Sequence, residues 1–71
     1  MRRHIVKMVW DEGYWHSETD DDLCITLNAE SFDVLVERVR QAAPEMLELN
    51  CGYTGEFELI FETQRSEVIS A

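Results

Sequence analysis

From Ile5 to Asp20 the chain alternates apolar and polar residues in two runs that meet at Asp11-Glu12-Gly13. A period of two marks a strand with one dry face and one wet face. The runs predict strands over about 4–10 and 14–19, joined as a hairpin. Trp10 stands before the turn, and Tyr14 and Trp15 stand after it. If Glu12-Gly13 is a two-residue loop, Trp10 opposes Trp15. If Asp11-Glu12 form a type I turn with Gly13 left-handed, Trp10 opposes Tyr14. Glu-Gly is a poor type I′ pair, which favours the second arrangement. Either one gives an aromatic cross-strand pair that supports the hairpin.

The pattern then changes. Asp20-Asp21-Asp22 sets three carboxylates in a row, which disfavours a ladder and predicts a solvated turn. A short third strand is expected over about 24–27, and residues 28–31 approach a helix. Ser31 is a suitable N-cap, and Asp33 lies in the first turn, where the helix dipole favours negative charge. Phe32, Leu35, Val39, Ala42 or Ala43, and Met46 recur at helical spacing as a buried stripe, which Val36, Ala43 and Leu47 widen. Pro44 cannot donate to the Arg40 carbonyl and is expected to kink or restart the helix. Asn50-Cys51-Gly52 ends it, with Asn50 or Gly52 left-handed. A last strand is predicted over about 56–63, with Phe57, Leu59 and Phe61 opposite Glu58, Ile60 and Glu62. The sum is an α+β fold of order β-β-β-α-β: a small antiparallel-type sheet with one Pro-kinked helix packed on one face.

One helix covers one sheet face. The first strand sends Val6, Met8 and Trp10 to one side and Ile5 and Val9 to the other, and the last strand sets Ile60 against its Phe and Leu residues. Large apolar residues left in water mark an interface, where aromatics are over-represented. The expected interface residues are Ile5, Val9, Trp15 and Ile60, in a homodimer or against a partner.

Length and charge narrow this further. Seventy-one residues make one domain, with a core over about 4–63 and a loose tail over 64–71. A net charge of −9 repels a phosphate backbone, so direct nucleic-acid binding is not expected. It attracts a basic protein. Arg2-Arg3-His4 is the one basic cluster and reads as a solvated start. No signal peptide or membrane span is visible, so a cytoplasmic protein with reduced thiols is the default. Cys24 and Cys51 form no C-x-x-C pair and read as two small buried hydrophobes, with a disulfide between them left open.

Candidate chemistry is sparse. His16, Glu18 and Asp20 share one face of the second strand and, with Asp21, Asp22 or His4, resemble a weak cation site. Zinc needs close His/Cys spacing and hard cations need a dense oxygen cage, and a straight strand offers neither. Lys7, expected across from Ser17 or Glu18, suits the polar face of a hairpin better. The cysteines have no motif-defined His base, and three glycines make no phosphate loop. No catalytic, metal or cofactor residue is therefore assigned.

Val9-Trp10-Asp11, Tyr14-Trp15, Glu18-Thr19-Asp20-Asp21 and Ala43-Pro44-Glu45-Met46-Leu47-Glu48-Leu49-Asn50, in this order, resemble a family of short bacterial domains of unknown function in the HicB-like antitoxin superfamily. Ser31-Phe32-Asp33-Val34-Leu35 stands where that family carries T-L-E-E-L. The resemblance covers residues 5 to about 52. Leu23-Cys24 stands where the family has Pro-Gly, leaving open a tight turn or a strand that runs straight on. The resemblance implies a partial ribonuclease-H-like fold without nuclease activity, used to dimerise and to cover a small basic ribonuclease toxin. The DNA-binding segment of longer antitoxins has no counterpart in these residues. A nuclease would need several acids converging from different elements, and Asp11, Glu18, Asp20 and Glu58 read as surface. The leading expectation is a non-enzymatic, antitoxin-like binding module for a small basic partner. The alternatives are an orphan homodimeric regulatory domain and, least favoured, a small metal-dependent enzyme.

Overall fold

The hairpin forms where the alternation places it, with the tighter of the two turns. The computed structural model describes residues 1–64 and 68–70. Strand β1 is Arg2–Asp11 and β2 is Tyr14–Glu18, antiparallel, with Trp10 opposite Trp15 and Asp11 opposite Tyr14. The favoured pairing of Trp10 with Tyr14 is thus overturned. Glu12 and Gly13 both take positive φ, 49° and 93°, as a type I′ loop requires. Holding Glu12 there costs roughly 1–2 kcal/mol. The tight loop lets the Trp10 and Trp15 rings meet edge-on at 5.4 Å, and Trp15 meets Phe32 at 5.1 Å. Each such pair contributes about 0.5–1.5 kcal/mol, enough to offset the strained residue.

The third strand is displaced. β3 is only Asn28–Ala29, beside Trp15 and His16 of β2. The stretch expected as a strand instead follows β2 through side-chain bonds. The buried Ser17 hydroxyl donates to the Ile25 carbonyl at 3.2 Å and accepts from the Leu27 amide at 3.0 Å. Thr19 Oγ1 accepts the Ile25 amide at 2.8 Å. These hydroxyls stand in for the ladder, so the backbone leaves strand geometry while Leu23 and Ile25 stay buried. Cys24 has φ of 49°, and its amide donates to the Asp20 carbonyl at 2.8 Å. A tight turn therefore persists at Leu23-Cys24 without a glycine.

Helix α1 is Phe32–Cys51, with Ser31 as N-cap and left-handed Gly52 as C-cap. Ser31 makes no side-chain capping bond. Leu35, Val39, Ala43 and Leu47 are its fully buried stripe, flanked by half-buried Phe32, Val36, Ala42 and Met46. Pro44 does not break the helix. It lies on the exposed side, where water can take the Arg40 carbonyl that loses its donor.

β4 is Phe57–Gln64, and the strand order is β3-β2-β1-β4. β4 pairs parallel to β1, from Arg2 beside Phe57 to Val9 beside Gln64. The sheet is mixed, which corrects the antiparallel expectation. β3 runs in the direction of β1, the helix returns the chain to the other end, and β4 must then run with β1. Of the expected tail, Gln64 belongs to β4, and Val68-Ile69-Ser70 form no regular element. Residues 65–67 and 71 lie outside the described residues.

Candidate functional site

The register of β1 and β4 decides which side chains share each face. Arg2, His4, Val6, Met8 and Trp10 point to the helix side. Arg3, Ile5 and Lys7 point away from it beside Glu58, Ile60 and Glu62 in that order, and Val9 shares their face. On the other flank Lys7 stands opposite Glu18 and Val9 opposite His16. The outer face is thus an apolar centre of Ile5, Val9 and Ile60 within a ring of charge. Ile5 is 46% exposed, and Val9 and Ile60 are half-buried.

Three of the four expected interface residues lie together there. Trp15 does not, because a residue opposite Trp10 must share its face, and it packs edge-on against Phe32 under the helix. Its aromatic character suggested a hot spot, but the cross-strand partner sets its direction.

The charges of the outer face form stripes. The central strand carries the cations, Arg3 and Lys7. The flanking strands carry Glu58 and Glu62 on one side and Glu18 on the other. Arg3 lies 3.7 Å from Glu58, and His16 lies 3.3 Å from Glu18. Asp20 borders the same recess of this face as Arg3, Lys7 and Glu62, and much of the remaining negative charge lies on exposed Asp33, Glu37, Glu45 and Glu48 of α1, interrupted by exposed Arg38 and Arg40. Val34 and Leu49 are exposed on the same helix, and Val34 lines a recess with exposed Tyr14, Glu30 and Arg38.

The expected alignment of His16, Glu18 and Asp20 does not occur, because β2 ends at Glu18. Asp20 turns back to His4, whose ring is 4% exposed, with Nδ1 2.8 Å from Asp20 Oδ2. The other Asp20 oxygen accepts the Leu23 amide at 3.0 Å. Burial alone would raise the Asp20 carboxyl, but the bonds from His4 and the Leu23 amide prevail and hold it below its ordinary value. An ionised Asp20 makes the Nδ1–H of His4 the donor. Nε2 of His4 then faces the interior with no partner among the described residues, a net cost inside the core.

The ligand atoms of His4, Asp20 and Asp22 lie within 4.8 Å of one another. The cationic position beside them is already filled. Arg2 bonds Asp22 at 3.1 Å, reaches Cys51 Sγ at 3.4 Å and lies over the Tyr53 ring at 4.8 Å. Asn50 adds bonds to the carbonyls of Asp22 and Leu23. This is a clasp joining the N-terminal strand, the acidic turn and the end of α1. Sequence reading missed it because residues 2–4, 20–23 and 50–53 share no local motif. Both cysteines are exposed and free, which corrects their reading as buried hydrophobes.

The sequence matches the family described as a domain of unknown function, DUF1902, over residues 3–70. The chain belongs to this family. The structure is similar to that of hypothetical protein TTHA1013 from the extremely thermophilic bacterium Thermus thermophilus, with a TM-score of 0.78 and 30% sequence identity. That likeness covers 96% of this chain and 100% of the other. No curated protein matches the chain significantly. As a DUF1902 domain the chain combines an α+β fold with a charge-striped sheet face that no described element covers and a helix whose exposed side carries more acids than bases. Among the described residues no helix is long and apolar enough to cross a membrane.

Proposed function

We propose that this DUF1902 chain is a non-enzymatic, antitoxin-like protein-binding module of the HicB-like superfamily. It covers a small basic partner, such as a ribonuclease toxin, and self-associates through its sheet. The observation that carries the reading is the segregation of its charge. The acids of α1 lie apart from the mixed-charge sheet face, with Val34 and Leu49 exposed on the same helix. Four exposed acids on α1 against Arg38 and Arg40 leave an acidic surplus beside these apolar anchors, which suits a partner of opposite sign. The element order supports the partial ribonuclease-H-like reading, and the cytoplasm is the compartment proposed. The acids of the turn and of α1 are engaged as a structural clasp or spread along a helix, an arrangement of surface charge rather than of converging catalysts.

The product of a neighbouring reading frame is the test. A short, basic protein encoded there should form a complex with this chain, weaken with added salt, and lose any ribonuclease activity when bound. Reversing Glu45 and Glu48 to Lys should weaken that complex. A neighbour that is neither short nor basic, or no binding at high micromolar concentration, would overturn the proposal. The orphan homodimer is the second reading, favoured by the stripes of the sheet face.

A further inference from the structure

We infer that the open sheet face binds a second copy of this chain, with β1 of each copy lying over β4 of the other. The inference deepens the self-association part of the reading above and rests on it. It follows from the register. Arg3 stands level with Glu58, Ile5 with Ile60, and Lys7 with Glu62.

A two-fold axis parallel to the strands, between β1 and β4, exchanges the two strands and keeps every residue at its height. Arg3 then meets Glu58 of the other copy, Ile5 meets its Ile60, and Lys7 meets its Glu62. Each contact occurs twice, as an isologous interface demands. Face-to-face sheets pack about 10 Å apart with strands within about 30° of parallel, so these side chains reach one another.

The competing two-fold axis, across the strands, fails on charge. It would run β1 antiparallel over its own copy, setting Arg3 over Lys7 and Glu58 over Glu62. A basic partner also fits this face poorly, because Arg3 and Lys7 hold its central stripe. The same pattern is complementary to itself when shifted by one strand.

Eight paired positions make the contact roughly 26 Å long at ~3.3 Å per residue. It is about two strands wide, at the small end of specific interfaces, so the dimer is weak and reversible.

Two charge reversals at exposed positions test the geometry. Lys7→Glu alone sets a second carboxylate over Glu62 of the other copy, and Glu62→Lys alone sets a second ammonium group over its Lys7. Sedimentation equilibrium should show a micromolar dimer for the unaltered chain and at least tenfold weaker association for each variant. An equimolar mixture of the two variants should regain the dimer as a one-to-one heterodimer, because every contact is then opposite in sign. A variant that had merely misfolded could not be rescued by mixing. Unchanged or tighter association of Lys7→Glu would overturn the geometry and leave self-association standing. A monomeric unaltered chain at high micromolar concentration would remove the self-association itself. Neither result touches the complex with a basic partner, which is measured separately on the α1 side.

Discussion

The two faces of the sheet are built from the same strands, residue by alternate residue, and they hold very different side chains. Under the helix lie Val6 and Met8 with Leu35, Val39, Ala43 and Leu47, each without measurable exposure. On the other side Ile5, Val9 and Ile60 are separated by Arg3, Lys7, Glu58 and Glu62. The inner face carries stability because its neighbours exclude water continuously. The outer face gains little from its three aliphatic residues while it stays wet, so its pattern has value only when something else covers it. A chain of this size has little stability to spare, which makes the difference measurable.

The sharpest way to break that contrast is to shorten one side chain on each face. Leu35→Ala should cost about 2–4 kcal/mol in chemical denaturation, a large share of the stability of so small a domain. Ile5→Ala should change the monomer by no more than about 0.5 kcal/mol. Equal losses, or a loss under half a kcal/mol for Leu35→Ala, would mean the faces are not so divided.

Next in size is the clasp beneath the inner face. Asp20→Asn removes the partner of a buried His4 and should cost about 1 kcal/mol near neutral pH. Its folded-state carboxyl sits below the ordinary value of 3.8, so the ionised form is the one folding favours. That contribution is present above the ordinary value and is lost as pH falls through the lower folded-state one. The gap between the unaltered chain and Asp20→Asn should therefore narrow on acidification. A gap that stayed constant down to the acid limb would show that the carboxylate charge contributes nothing.

Cys24→Gly should stabilise the domain slightly. Relief of a left-handed residue gains about 1–2 kcal/mol, and the looser unfolded chain returns about 0.5–1, leaving a net gain near 0.5 kcal/mol. A destabilised variant would place the origin of the turn in the Cys24 side chain instead.

The smallest effect concerns salt. Two chains of −9 repel at long range, and the Debye length shortens from about 30 Å at 0.01 M to about 10 Å at 0.1 M. The homodimer should tighten modestly between these conditions, while a complex with a basic partner should weaken. Homodimer affinity that falls steeply with salt would mean the outer face is held by its ion pairs and not by its aliphatic centre.

Local pattern determined much of this molecule. The period-two runs placed β1, β2 and β4 and split Ile5, Val9 and Ile60 from Val6 and Met8, because alternation in a pleated strand leaves no other choice. Helical spacing placed the helix and put Leu35 and Val39 in its buried stripe for the same kind of reason, while packing centred that stripe on Ala43 and Leu47 and left Phe32 and Met46 on its flanks. Tertiary structure decided what depends on partners distant in the chain. Trp15 faces inward because Trp10 and Phe32 complete an aromatic cluster that outweighs the strain at Glu12. The hydroxyls of Ser17 and Thr19 drew residues 24–27 out of the ladder, a competition between side chain and backbone that carries no periodic signal. β4 runs parallel to β1 because the helix returns the chain to the starting end, and that register alone sets Arg3 level with Glu58 and Lys7 level with Glu62. The sequence holds those four charges in plain view, but only the closed sheet arranges them into stripes.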